Sequence, residues 1–148
     1  MLIATKGSKL DISSEKKTEE IAKKFKKELK PGDIIFLYGE IGVGKTTFVK
    51  YLVNEFQENS KDQITEVTSP TFNILNEYKI KELTIKHYDL FRLKLPEEVK
   101  DLNLFEEDEK SIVLVEWPQI IKHKPKILIE LFFEYENKYQ NRYITFLN

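Results

Sequence analysis

Three of the chain's five glycines, Gly39, Gly42 and Gly44, fall within six residues. A sequence this sparing with glycine concentrates it where backbone must turn sharply or approach something closely. The stretch Gly39-Glu40-Ile41-Gly42-Val43-Gly44-Lys45-Thr46 fits the pattern G-x-x-x-x-G-K-[ST]. Its setting constrains the fold more than the pattern does. Before it stands Asp33-Ile34-Ile35-Phe36-Leu37-Tyr38, an apolar run suited to a strand buried on both faces. After it Phe48, Val49, Leu52, Val53 and Phe56 recur at helical spacing and predict a helix over 45–57. Strand, glycine loop and helix in this order form an anion cradle. The glycines let backbone N–H groups turn inward, and the helix start adds unpaired donors and the positive end of its dipole. In such a cradle Lys45 reaches the β and γ phosphates of a nucleotide, and Thr46 offers a hydroxyl to Mg²⁺. An ordinary glycine-rich turn is the plain alternative, and the flanking elements argue against it.

The rest of the chain reads as one α/β domain over residues 1–148. Residues 14–30 have an apolar stripe of Ile21, Ala22, Phe25 and Leu29, a capping serine at 13 or 14, and a stop at Pro31-Gly32. The lysines on its other face read as a solvated surface. Residues 57–63 read as a loop. Alternation predicts strands over 72–80 and 83–89, joined by a hairpin at Lys81-Glu82. A helix is expected over 96–105, a second buried strand over 111–117, and a closing antiparallel pair over 127–135 and 142–147. The sum is a three-layer α/β fold of the P-loop NTPase type with a mixed parallel and antiparallel sheet.

Composition narrows the function. With 24 Lys+Arg against 25 Asp+Glu the net charge is -1, which argues against binding nucleic acid through overall charge. The absence of cysteine excludes thiolate metal sites and thiol nucleophiles. Apolar runs are far shorter than the ~18 residues a membrane span needs, and the first six residues lack a signal-peptide core, so a soluble cytoplasmic protein is expected. A P-loop needs an acid to hold Mg²⁺ at the end of a neighbouring strand. Asp89 closes one predicted strand and Glu116 another. The Asn-Lys-x-Asp element that reads guanine is incomplete: Asn137-Lys138 is followed by Tyr139-Gln140. ATP is therefore the default nucleotide. Small-molecule kinases clamp their anions with several arginines, and this chain has only Arg92 and Arg142.

Four segments resemble the TsaE family of P-loop ATPases, which acts in bacterial tRNA threonylcarbamoyladenosine synthesis. They are Leu37-Tyr38-Gly39-Glu40-Ile41-Gly42-Val43-Gly44-Lys45-Thr46-Thr47-Phe48, Val67-Thr68-Ser69-Pro70-Thr71-Phe72 with Asn76-Glu77-Tyr78, His87-Tyr88-Asp89-Leu90-Phe91-Arg92-Leu93, and Val113-Leu114-Val115-Glu116-Trp117-Pro118. The resemblance spans about residues 13–118. Two departures stand out. Glu40-Ile41-Gly42 replaces the common Asp-Leu-Gly, and Asn103 stands where a glycine is common; asparagine also tolerates a left-handed turn. The resemblance implies slow ATP hydrolysis, with Mg²⁺, by an accessory subunit of TsaD and TsaB. Those partners transfer the threonylcarbamoyl group to the adenosine beside the anticodon of tRNAs reading A-starting codons. Contact with tRNA is then indirect, and no membrane is involved.

The implied nucleotide contacts are the 39–46 loop and Thr47, with Thr71, Trp117 and, more remotely, Thr18. Lys45, Asp89 and Glu116 are the implied catalytic set. Thr46 and Glu116 are the Mg²⁺ candidates, with Asp89 near the metal and acting through water. Whether Glu116 holds Mg²⁺ or polarises the attacking water stays open at this point. Ser69-Pro70-Thr71 resembles a switch loop in which the Thr71 hydroxyl senses the γ-phosphate, the alternative being a turn hydroxyl bonded to its own backbone. Trp117 is either a core anchor or a residue at the nucleotide or partner surface. His87 reads as a core histidine or a site residue, Arg92 as a partner of an acid or another protein, and Arg142 as a late contact. Two other functions compete: a stand-alone phosphotransferase with a small acceptor, and a nucleotide-gated interaction module without turnover.

Overall fold

The computed structural model describes residues 6–106 and 109–147. Most of the amino-terminal stretch read for a signal peptide, residues 1–5, lies outside these. In chain order the elements are β1 (Lys9–Asp11), α1 (Glu15–Lys26), β2 (Ile34–Tyr38), α2 (Lys45–Asn59), β3 (Leu75–Ile80), β4 (Leu83–Asp89), α3 (Pro96–Lys100), β5 (Ser111–Glu116), a 3₁₀ turn (Pro118–Ile120), β6 (Ile129–Glu136) and β7 (Asn141–Phe146). The strands form one seven-stranded sheet in the order β1-β7-β6-β2-β5-β4-β3. β2 runs parallel to both β5 and β6, and β4 runs parallel to β5. The outer pairs β3–β4, β6–β7 and β1–β7 are antiparallel. The expected mixed sheet is therefore found, with its parallel strands at the centre.

Successive side chains of the central strands enter opposite faces, as a period of two requires. Ile35, Leu37, Ile112 and Leu114 pack with Ala22 and Phe25 of α1 and with Phe48, Val49, Leu52 and Val53 of α2. Phe36, Val113 and Val115 pack on the other face with Tyr88, Leu90, Leu104 and Ile121. Burial of each such side chain contributes roughly 1.5–3 kcal/mol. Three layers result. One outer layer is the α1–α2 pair; the other is thin, built from α3, the turns after it and the 3₁₀ segment. Among the described residues no helix is long and apolar enough to cross a membrane.

Several boundaries differ from expectation, each for a local reason. α1 begins as expected, with the Ser14 hydroxyl accepting from the Lys17 N–H, but ends at Lys26 rather than residue 30. Residues 30–33 turn instead, with the Asp33 carboxylate taking the Lys30 N–H at 2.8 Å and Gly32 at φ 97°. α2 runs two residues further than expected because the buried Gln57 side chain is held by Thr65. β3 begins at Leu75, not 72: the Ile74 N–H bonds to the Pro70 carbonyl, Ile74 is left-handed, and Phe72 is exposed. α3 stops at Lys100 and residues 101–105 are turns, with Asn103 at φ 50°. The left-handed conformation foreseen for Asn103 is thus present, and it belongs to a turn that ends the predicted helix early. β1 is three residues long and shows no alternation to find in the sequence; it exists by pairing with β7.

Candidate nucleotide-binding site

Because β2, β4 and β5 are parallel, their carboxyl ends meet at one edge of the sheet, the edge where open α/β sheets bind ligands. Asp89 and Leu37 are both in register with Glu116. Two carboxylates from neighbouring strands are therefore fixed beside the loop that leaves β2. The loop itself is set by its glycines. Gly39, Gly42 and Gly44 have φ of 143°, 82° and 115°. A Cβ on Gly39 would lie 2.6 Å from the Phe133 carbonyl oxygen, so β6 closes tightly over this point. Gly44 caps α2 in a left-handed conformation and gives no side-chain partner to the first N–H groups of the helix. Those donors, and the helix dipole behind them, face the cavity mouth as an anion site requires.

Lys45 is buried at the first position of α2. Its ammonium donates to the carbonyls of Gly39 and Glu40 and lies 3.9 Å from the centre of the Trp117 ring. Burial pushes its pKa down, against the opposing pull of the Glu116, Asp89 and Glu40 charges. The next residue, Thr46, donates its hydroxyl to Glu116, at 3.1 Å from Oε2 and 3.3 Å from Oε1. Glu116 Oε2 also lies 2.6 Å from His87 Nε2, and both residues are buried. Asp89 is held differently. Its Oδ2 accepts from Ser69 and Thr71, each at 3.0 Å, and its Oδ1 from the Phe91 N–H at 2.9 Å. Trp117 follows β5 with φ 57°, and its ring packs on Phe91 with centres 4.9 Å apart.

These groups enclose a cavity of about 370 Å³. Ile41, Gly42, Gly44, Lys45, Thr46, Thr47, Thr71, Asp89, Glu116 and Trp117 line it, together with Ser69 and Phe91. Gly39, Glu40 and Val43 shape the loop from behind without lining the cavity. Thr18 is not brought to it. That hydroxyl is buried in α1 and bonds the Ser14 carbonyl at 3.1 Å. Arg142 lies beside the loop and outside the lining, with Nη1 3.9 Å from where a Cβ on Gly44 would stand and Nη2 donating to the Ser13 carbonyl. Arg92 stacks over the exposed Phe72 ring at 5.2 Å. A larger hollow of about 550 Å³ lies between α3 and the segment after the 3₁₀ turn, and holds none of these groups. Chemistry, not size, marks the site.

The structure brings to the site three residues that the sequence reading gave no contact there: Ser69, His87 and Phe91. Ser69 stands in the Ser-Pro-Thr motif, so a signal for it existed. His87 shares the parity of Asp89 on β4, a weaker signal. Phe91 gave none.

A family model described as threonylcarbamoyl adenosine biosynthesis protein TsaE matches residues 12–144. The chain belongs to the TsaE family. Its curated TsaE relatives are each described as a tRNA threonylcarbamoyladenosine biosynthesis protein. The one from Rickettsia felis is 41% identical over 132 residues, covering 87% of this chain and 75% of the relative. That from Rickettsia bellii is 43% identical over 126 residues, with coverages of 84% and 85%. The Aquifex aeolicus protein is 34% identical over 128 residues, with coverages of 86% and 88%. The crystal structure of Bacillus subtilis YdiB superposes with a TM-score of 0.71 at 28% identity, over 98% of this chain and 87% of that one. The matched region includes the glycine loop, Asp89, Glu116 and Trp117, so the site described above lies inside the TsaE match.

Proposed function

We propose that this chain is a Mg²⁺-dependent ATPase subunit that supports formation of N6-threonylcarbamoyladenosine beside the anticodon of tRNAs reading A-starting codons. The observation that carries the reading is the Thr46–Glu116 contact next to Lys45, at the end of a glycine loop. It joins the hydroxyl expected on Mg²⁺ to a carboxylate from the neighbouring strand. The donors fit that ion. They are hard oxygens, and no group of three His, Cys, Asp or Glu among the described residues cages a metal by itself. Mg²⁺ is usually held by one or two carboxylates plus substrate phosphates, not by an all-protein cage. When bound there it supplies charge neutralisation to the phosphates.

In this reading the loop N–H groups hold the phosphates, and Lys45 turns from the Gly39 and Glu40 carbonyls towards them. Its ammonium then leaves the face of the Trp117 ring, on which it rests in this structure. Asp89 organises water near the metal. Ser69 and Thr71, both bonded to Asp89, link that carboxylate to the 69–71 loop. TsaD and TsaB are the proposed partners, tRNA is met through them, and work on tRNA places the protein in the cytoplasm.

The test is ATP hydrolysis measured alone and with the TsaB–TsaD pair. Slow turnover alone and faster turnover with the pair is expected. Turnover that needs a small acceptor and no protein would make the chain a phosphotransferase. ATP binding with no turnover in any mixture would make it a nucleotide-gated interaction module.

A further inference from the structure

His87 is a wholly buried polar side chain, and the proposed chemistry so far gives it no task. Its ring sits on β4, one strand away from Glu116, with Nε2 2.6 Å from Oε2. Its other nitrogen, Nδ1, is buried without a hydrogen-bond partner among the described residues. A buried polar atom left unpaired loses its hydration without a replacement, which costs folding free energy. An apolar side chain would fill the same place without that cost. The imidazole is therefore kept here against a penalty, and the hydrogen bond between Nε2 and Glu116 is what offsets it.

The two acids of the site differ in how they are held. Asp89 takes three donors from its own neighbourhood: Ser69, Thr71 and the Phe91 N–H. Glu116 takes side-chain donors only from Thr46 and His87 among the described residues. Thr46 is the hydroxyl that turns to Mg²⁺ in the proposed reaction. Once it does, His87 is what still fixes the carboxylate, and it does so from a strand that cannot shift without breaking the sheet.

We propose that His87 is the positioning residue that orients Glu116 towards the metal and the attacking water. This rests on the ATPase reading above. Groups of this kind, one step removed from a metal, are typically worth about 10–100-fold in affinity or rate.

Two measurements test it. In the nucleotide-free protein, nitrogen-15 NMR of the His87 ring should show a proton on Nε2 that exchanges slowly with water and whose resonance moves in Glu116→Gln. An Nε2 without a proton would overturn the contact, whatever the enzymatic result. In single-turnover hydrolysis with TsaB and TsaD, His87→Leu should lose about 10–100-fold in rate with little change in ATP affinity. His87→Gln, which keeps an N–H near the Nε2 position, should recover most of the loss. A parent-like rate in His87→Leu would overturn the proposal. So would His87→Gln as slow as His87→Leu, because size rather than the donor would then matter. If the parent protein turns over no ATP in any mixture, the ATPase reading itself falls and this role with it. That failure shows in the parent and not in a variant.

Discussion

A methyl group on Gly39 would press on the Phe133 backbone carbonyl, 2.6 Å away, where β6 cannot easily retreat. Gly32 offers a control, since it also has positive φ but its added Cβ would meet nothing within 4 Å. Strained backbone alone costs roughly 1–3 kcal/mol. Gly39→Ala should therefore lose clearly more stability than Gly32→Ala in urea denaturation; equal losses would mean that the β6 contact is soft. Lys45 makes a second case. Burial disfavours its charged form, so the native pKa lies below the unfolded one. The unfolded chain then binds more protons in the window below the ordinary value of 10.5, and stability rises with pH there. Lys45→Ala should abolish productive ATP binding while leaving the protein folded, checked by calorimetric titration and circular dichroism. Retained affinity would remove the P-loop assignment. Asp89→Asn and Glu116→Gln should each slow hydrolysis more than they weaken ATP binding, as single-turnover and equilibrium binding measurements can separate. That Lys45, Thr46, Asp89 and Glu116 would meet around one cavity was legible in the sequence, because a motif or a strand end marks each. The His87–Glu116 bond was not. It depends on which strands are neighbours, and residues 29 apart carry no local mark of it.

At the scale of elements, the periodic segments were easier to read than their ends. The buried faces of β2, β5 and α2 follow the apolar pattern because burial writes a period of two or 3.6 into the sequence. Ends are decided by competition among single hydrogen bonds, such as Ile74 with Pro70 or Gln57 with Thr65. The corner between β1 and α1 shows how such bonds respond to conditions. Lys17 donates to Asp11 Oδ2 and the Ser13 N–H donates to Oδ1, each at 2.8 Å. The Lys17 bond, with Ser13, lowers the Asp11 pKa from 3.8 to about 2. A lowered carboxylate stabilises the fold above its unfolded pKa and loses that contribution as pH falls through the native one. Thermal melts between pH 4 and pH 2 should therefore drop less steeply in Asp11→Asn than in the parent, and added salt should narrow the gap. Equal slopes would mean that the corner adds nothing in acid. Ser14→Ala, which removes the α1 cap, should cost about 0.5–2 kcal/mol.

For the whole molecule the telling shortage is arginine. The chain has Arg92 and Arg142, and neither lines the cavity: one stacks on Phe72, the other is turned to the Ser13 carbonyl. In comparable NTPases a supplied arginine is worth about 10³–10⁵ in rate. Single-turnover hydrolysis should therefore be slow for the chain alone and faster when a partner completes or orders the site. Mixtures with TsaB, with TsaD and with both would locate the contribution, and equal rates in all of them would make the site self-sufficient. The exposed Phe91 in the cavity lining, with Ser69 and Thr71 beside it, is where such ordering would act. One further property follows from Trp117. It is the only tryptophan in the chain, and its ring rests against both Phe91 and the Lys45 ammonium. All indole emission from the unlabelled protein thus originates at the cavity beside the glycine loop. Binding of ATP that draws Lys45 from the ring would take the cation above the indole with it, and the emission should then change in colour and intensity. The same addition of ATP to Lys45→Ala should leave the spectrum still, which turns a single side chain into an optical gauge of whether the loop is empty or filled.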